Sequence, residues 1–268
     1  MDYIIFNNKM ERILSLIKDN SIDLIVTDVP YGINFKNDIY NDSASYVLNK
    51  ADIWLELLSR KLKPTCHCYI FIPTTIMDIW MTKIRKYFTF NNVVTVDVYY
   101  NSKQNPKLNN NFTYTSQHVV YCSKGKAKNF NDIKIYKYSD CWMKDKRNKN
   151  EDNKKEGYRY IYPNFIDHKH GRANEKRNQV LKNIHPNQKN LKLIENFIKL
   201  SSNEGDIVLD SFMGSGTTVL AAILNNRYAI GIDSMNYDDF IKSEERIKSD
   251  YEKMKAKNTN NYINLLEC

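Results

Sequence analysis

One turn in this chain has the residue types of a binding site for an anion. An apolar run over residues 207–209 ends in Asp210, and Gly214 and Gly216 follow before helical spacing begins at Thr217. Glycine permits a positive φ and a close approach of the backbone to a ligand. The first turn of a helix offers free N–H groups and the positive end of a dipole. The pattern therefore predicts that a carboxylate or a phosphate binds here.

Three classes of ligand compete for such a turn. A nucleoside triphosphate requires G-x-x-x-x-G-K-[ST], and the chain has no lysine at that place. A dinucleotide requires G-x-G-x-x-G, and Val219 stands where the third glycine belongs. S-adenosylmethionine requires an anion site and an acid for its ribose hydroxyls, and Asp233 ends the next predicted strand. We favour S-adenosylmethionine, while a strand, turn and helix without any ligand remains the alternative.

A second turn, Asp28-Val29-Pro30-Tyr31, has groups that could activate an exocyclic amine of a base. Such an amine is a weak nucleophile because its lone pair is delocalised into the ring. Acceptors for both amine hydrogens favour a tetrahedral nitrogen, and the Asp28 carboxylate and the Val29 carbonyl could supply them. Pro30 stiffens the turn, and Tyr31 could stack on a base rotated out of the duplex. A capped loop without chemistry is the alternative for this tetrapeptide alone.

Alternating strand and helix patterns predict the scaffold that holds these two turns. Short apolar runs predict strands, and apolar residues at helical spacing predict helices. The predicted strands cover residues 22–28, 69–72, 93–100, 118–122, 207–210 and 228–233. The predicted helices cover residues 43–62, 75–88, 187–200, 217–224 and 237–254, with a frayed end from 255 to 261. This alternation is typical of a doubly wound, mostly parallel α/β sheet, which binds ligands at the carboxyl ends of its strands.

Positive charge is concentrated in one segment. The 268 residues carry a formal net charge of +9, and residues 124–177 hold 16 Lys or Arg against 8 Asp or Glu. This segment has little periodicity and many tyrosines, so we interpret it as an insertion. A basic insertion predicts contact with DNA phosphates, and a solvated surface is the alternative.

The remaining composition excludes other classes of protein. No apolar run approaches the length of a membrane span. The N-terminus lacks the pattern of a secretory signal, so we expect a cytoplasmic protein. The five cysteines include no C-x-x-C pair, which favours reduced cysteines over a metal site.

Taken in order, these motifs resemble those of the β-class DNA amino-methyltransferases, which act on adenine N6 or cytosine N4. In that family a catalytic D-P-P-Y comes first, a target-recognition region second, and a cofactor-binding F-x-G-x-G last. Residues 185–189 resemble its H-P-x-Q-K segment, and residues 60–64 resemble its R-x-L-K-P. The resemblance covers nearly all of the chain. It implies a circularly permuted, Rossmann-like class I methyltransferase fold that uses S-adenosylmethionine.

The resemblance also implies a division of the chain and three sets of site residues. Residues 1–124 would form the catalytic half, residues 125–183 the target-recognition insertion, and residues 184–268 the cofactor-binding half. The expected catalytic residues are Asp28, Val29, Pro30 and Tyr31. The expected cofactor contacts are Asp210, Phe212, Gly214, Ser215, Gly216, Thr217, Thr218, Asp233 and Lys189. The expected DNA contacts are Lys144, Lys146, Arg147, Lys149 and Arg172, and no metal is expected.

The reaction that follows from the resemblance is methyl transfer to a flipped adenine in double-stranded DNA. Asp28 favours N6 of adenine, because relatives that act on cytosine N4 more often have serine there. Cytosine N4 is the first alternative, and a non-catalytic DNA-binding relative or a dinucleotide-dependent oxidoreductase are others. A homodimer and a cognate restriction enzyme for the same site are partners that the resemblance allows.

The chain departs from the family pattern at three places. Val29 replaces the first proline, Asn7-Asn8 replaces a frequent Gly-Asp, and Gln117 replaces a frequent Glu. At Val29 any residue supplies the backbone carbonyl, so we expect only some loss of rigidity there, and Asn7-Asn8 is expected to alter the edge of the cofactor pocket. None of the three changes removes an atom that the chemistry requires.

Overall fold

An eight-stranded sheet organises the protein. The computed structural model describes residues 2–32, 43–97, 116–131, 165–166 and 188–266. The elements in chain order are β1 (Tyr3–Asn7), α1 (Met10–Leu16), β2 (Ile22–Asp28), α2 (Ala44–Lys61), β3 (Leu62–Ile72), a 3-10 turn (Thr74–Ile76), α3 (Met77–Tyr87), β4 (Thr89–Asp97), β5 (Ser116–Ser123), β6 (Phe165–Ile166), α4 (Leu191–Ser201), β7 (Ile207–Asp210), α5 (Thr217–Leu224), β8 (Tyr228–Asp233) and α6 (Tyr237–Leu266).

The strand order is β1-β8-β7-β2-β3-β5-β4-β6. Within the described ranges β5 runs antiparallel to both of its neighbours, and every other adjacent pair is parallel. The predicted α/β class with a mostly parallel sheet is therefore confirmed. Strands β7 and β8, from late in the chain, lie between β1 and β2, from its beginning.

Apolar side chains cover both faces of the sheet. In β2 the side chain of Ile25 belongs to an apolar cluster that includes residues of α1, α2 and α3, whereas Leu24 and Val26 belong to a second cluster that includes residues of α4 and α5. All three side chains are fully buried. Burying a side chain of this size stabilises the fold by about 1.5–3 kcal/mol. The sheet edge that holds the two turns is therefore fixed between two layers of helices.

Four features differ from the sequence predictions. Strand β3 begins at Leu62 rather than at Tyr69, and it contains Pro64. Strand β1 and helix α1 precede the first predicted element. Helix α6 continues to Leu266, through the segment predicted to fray. The apolar spacing of the predicted helix 43–62 includes Ile53, but in the structure this side chain is 45% exposed, whereas Ala51 and Leu55 are buried.

The basic insertion lies mostly outside the described residues. Of residues 125–183 the structure describes 125–131 and 165–166, and the latter pair in parallel with β4. None of the described helices combines the length and the apolar character that a membrane span needs.

Candidate active site

The carboxyl ends of β2, β7, β8 and β1 meet at one edge of the sheet. Asp28 ends β2, Asp210 ends β7 and Asp233 ends β8. Asn7, the last residue of β1, is paired in register with Asp233. The catalytic turn and the cofactor turn predicted from the sequence therefore lie side by side, although 183 positions separate Thr27 from Asp210 along the chain.

Lys189 binds the carboxylate of Asp28. Its ammonium Nζ lies 2.6 Å from Asp28 Oδ2, and the exposed fractions of the two side chains are 12% and 27%. The same ammonium lies 5.0 Å from the ring centroid of Phe71 and 5.7 Å from that of Tyr31. Lys189 was expected to contact the cofactor, which stays a prediction. The contact that the structure shows is with the catalytic turn.

Two buried polar atoms of the catalytic turn have no hydrogen-bond partner among the described residues. They are Oδ1 of Asp28 and the hydroxyl of Tyr31. Burial raises the pKa of Tyr31 well above its ordinary value, and the nearby charge of Asp28 raises it further. The Tyr31 hydroxyl and the Asp28 carboxylate are close enough for their interaction to raise the pKa of Tyr31, although no hydrogen bond of ordinary geometry joins them. An unsatisfied buried acceptor is costly, so Oδ1 has the character of a group that awaits a ligand donor.

The Thr27 hydroxyl connects the two turns. It donates to Asp210 Oδ1 over 3.0 Å and lies 3.0 Å from the hydroxyl of Ser211. The backbone N–H of Phe212 also donates to Asp210 Oδ1, over 3.2 Å. Burial raises the pKa of Asp210 to about 7, although these hydrogen bonds oppose the shift. Sequence reasoning missed Thr27, and a hydroxyl next to Asp28 in a mostly apolar strand was the available signal.

The carboxylate of Asp233 holds the cofactor turn by accepting a hydrogen bond from the backbone of the turn. The N–H of Gly214 donates to Asp233 Oδ2 and the N–H of Ser234 donates to Oδ1, each over 2.7 Å. Burial raises the pKa of Asp233 to about 6, and the two N–H donors lower it in part. Each carboxylate oxygen has a further lone pair, so the acid can still accept hydrogen bonds from a ligand.

The two glycines of the turn serve different purposes. Both have a positive φ, +49° at Gly214 and +76° at Gly216. A Cβ atom on Gly214 would meet nothing within 4 Å, so this glycine faces open space. A Cβ atom on Gly216 would lie 2.5 Å from Ile247 Cδ1 of α6. The expected contact of Gly216 with the cofactor stays a prediction, and the structure shows that its missing side chain also makes room for Ile247 of α6.

The other predicted cofactor residues surround this turn. Ser215, Thr217 and Thr218 are buried, and the last two begin helix α5. Phe212 lies edge-on to Trp54 with ring centroids 5.0 Å apart. In the R-x-L-K-P segment, by contrast, Arg60 and Lys61 bind Asp19, so this motif has a structural role.

The predicted DNA contacts lie outside the described residues and stay predictions. They are Lys144, Lys146, Arg147, Lys149 and Arg172.

Comparisons with known proteins show the family of this chain. The sequence model of the DNA methylase family, which comprises N6 and N4 methyltransferases, matches residues 22–242. A type II methyltransferase of Haemophilus parainfluenzae, M.HpaI, is 29% identical over 259 residues, which are 94% of this chain and 76% of that protein. The chain therefore belongs to the DNA methylase family, and it is a DNA methyltransferase.

Two solved structures share the fold. The complex of M1.HpyAVI with S-adenosylmethionine is 23% identical, with a TM-score of 0.60 over 91% of this chain and 99% of that one. The cytosine-N4-specific PvuII DNA methyltransferase is 17% identical, with a TM-score of 0.62 over 94% of this chain and 92% of that one. Both likenesses confirm the Rossmann-like methyltransferase fold.

Proposed function

We propose that this protein transfers a methyl group from S-adenosylmethionine to N6 of adenine in double-stranded DNA. One observation carries the proposal: a carboxylate oxygen, Oδ1 of Asp28, is buried without a described donor beside a turn built for the cofactor. Asp28 at this position also favours adenine over cytosine. Cytosine N4 remains the second candidate, because the family comprises both reactions and one fold neighbour acts on cytosine.

The residues at the cofactor turn fit S-adenosylmethionine. Gly214 leaves open space above the turn, and helix α5 presents its N-terminus there. A helix N-terminus favours the carboxylate of the methionine moiety. The free lone pairs of Asp233 suit the ribose hydroxyls, and a carboxylate also favours a nearby cation. When bound, S-adenosylmethionine supplies an electrophilic methyl group on a sulfonium.

Asp28 and Lys189 divide the work on the target amine. Lys189 occupies Oδ2 of Asp28, so the geometry leaves Oδ1 for one hydrogen of the amine. The Val29 carbonyl is the proposed acceptor for the other. These hydrogen bonds strengthen as positive charge develops on the nitrogen, so they stabilise the transition state more than the ground state. Tyr31 would stack on the flipped base.

The proposed substrate is duplex DNA held by the basic insertion. The excess of Lys and Arg between residues 124 and 177 would neutralise phosphates around the target base. The type II relatives suggest a cognate restriction enzyme for the same site as a partner, and a homodimer is the proposed assembly.

Substitution of Asp28 tests the proposal. Asp28→Ala should abolish methyl transfer yet retain near-normal affinity for cofactor and DNA, because the lost contact matters mainly in the transition state. Asp28→Asn should fail as well. With Lys189 donating to the amide oxygen, the amide NH₂ would face the substrate amine, and two donors cannot pair.

The measurement is transfer of labelled methyl groups to duplex DNA, followed by nucleoside analysis. Label in N6-methyladenosine supports the proposal, and label in N4-methylcytosine supports the second candidate. A matched control is Asp52→Ala, which removes an acid that pairs with Lys83 between α2 and α3. The exposed fractions of that pair are 33% and 17%, close to those of Asp28 and Lys189. An Asp28→Ala protein as active as this control would refute the mechanism.

A further inference from the structure

Helix α6 contacts the cofactor turn from behind at three consecutive residues. The Ser243 hydroxyl donates to the Gly214 carbonyl over 3.0 Å. Arg246 Nη1 donates to the Ser215 carbonyl. Ile247 fills the space that the missing side chain of Gly216 leaves. Three residues of one helix therefore hold three consecutive residues of the turn.

Burial of the Arg246 guanidinium at this place costs free energy, because the group is charged. Arg246 is 5% exposed, and its Nη1 also donates to Thr217 Oγ1 over 3.2 Å, at the start of α5. A cation beside a helix N-terminus is electrostatically unfavourable. Asp250, itself 3% exposed, forms an ion pair with this arginine, with Oδ2 3.4 Å from Arg246 Nε, although neither atom meets hydrogen-bond geometry. Replacing a buried ion pair by apolar residues is often neutral or stabilising, so stability alone does not explain an arginine here.

Helix α6 is also connected closely in sequence to Asp233, the acid proposed to bind the ribose, and this connection further restrains the cofactor turn. Only residues 234–236 separate Asp233, whose Oδ2 accepts the Gly214 N–H, from the first residue of α6. One continuous segment of the chain thus holds the turn from two sides. Asp233 accepts the N–H of Gly214, and α6 contacts the Gly214 carbonyl, Ser215 and Gly216. Few conformations of the turn satisfy all of these contacts.

We propose that Arg246, held by Asp250, is a positioning residue that fixes residues 214–217 in the conformation that binds the cofactor. It acts through the Ser215 carbonyl and the Thr217 hydroxyl. The inference rests on the proposed function, because it takes S-adenosylmethionine as the ligand of this turn. It assigns a role in cofactor affinity to a helix that follows the cofactor motif.

The test removes both charges together, which avoids leaving Asp250 buried with only the more distant Lys253 as a partner. The double variant Arg246→Met, Asp250→Leu should fold with a Tm near that of the wild type. Its affinity for S-adenosylmethionine in calorimetry should fall at least about tenfold, the loss expected when a charged donor is removed. In kinetics KM for the cofactor should rise by a similar factor, while kcat at saturating cofactor and the Kd for DNA change little.

Two further variants separate positioning from general stability. Arg246→Lys keeps a donor and should recover part of the affinity. Lys248→Met, on the same helix, loses only an exposed ion pair with Glu244 and should bind like the wild type. A double variant that binds the cofactor as tightly as the wild type would overturn the inference. Wild-type protein that does not bind S-adenosylmethionine would overturn the proposed function as well.

Discussion

The affinity for S-adenosylmethionine should fall as the pH is lowered, because Asp233 must be ionised to serve as an acceptor. In the free protein burial raises the pKa of Asp233 to about 6. If the cofactor binds only the ionised form, affinity falls about tenfold, or about 1.4 kcal/mol, for each pH unit below that value. Between pH 7 and pH 5 the expected loss is thus about tenfold. S-adenosylmethionine keeps its own charge over this range, because its α-amino group titrates at about pH 8 and its carboxyl group at about pH 3.

The stability of the protein without cofactor should change with pH in the direction opposite to the cofactor affinity. An acid whose pKa is raised on folding stabilises the fold at low pH, and that contribution is lost as the pH rises through the folded value, about 6 for Asp233. Asp210, whose burial raises its pKa to about 7, acts in the same direction. The rise in Tm on adding S-adenosylmethionine should therefore grow from pH 5 to pH 8.

The prediction is checked by measuring the affinity for S-adenosylmethionine by calorimetric titration at about pH 5, 6, 7 and 8. Asp233→Asn is the variant to compare, because it removes the titrating group. It should bind weakly at every pH, since its NH₂ must face one of the two backbone donors, Gly214 N–H or Ser234 N–H. Its remaining affinity should vary less with pH than that of the wild type. A wild-type affinity that is constant between pH 5 and pH 7 would refute the assignment of Asp233.

The remaining predictions concern the target base and the duplex. Tyr31→Ala should weaken capture of the flipped base by about 1–3 kcal/mol, whereas Tyr31→Phe should keep much of the activity. The KM for duplex DNA distinguishes the two variants, and equal KM values would contradict stacking of Tyr31 on the base. Four alanine substitutions in the insertion should reduce the slope of log affinity against log salt by about 0.9 for each lost phosphate contact. An unaltered slope would mean that DNA binds elsewhere. The four residues are Lys144, Lys146, Arg147 and Lys149.

The elements that bear the two turns were predictable because they are buried on both sides. The bounds of β2, β7, α5 and β8 agree with the sequence prediction at both ends. Continuous apolar runs that end in an acid identify such strands. Helix α6 was predicted too short because its C-terminal part is polar, and helical periodicity gives little information where no apolar face is present.

Contacts between distant residues could not be read from the sequence. Spacing places Lys189 before α4, but its ion pair with Asp28 depends on how α4 packs against β2 and β3. The same holds for Arg246, which sits in a charged helix whose pattern predicts a solvated surface. The packing of Gly216 against Ile247 likewise depends on where α6 lies, which spacing along the chain does not give.

The sheet order has a consequence for how the protein folds. Strands β7 and β8 occupy the gap between β1 and β2, so that gap stays open until residues 207–233 have been synthesised. Pairings between the two ends of a chain form slowly, and the unpaired edges of β1 and β2 are prone to aggregation in the meantime. The hydrogen bond from Thr27 to Asp210 is one of these late contacts. The active site therefore cannot assemble before residues 207–233 have been synthesised, and a nascent chain that ends before Asp233 lacks the acid of the cofactor turn.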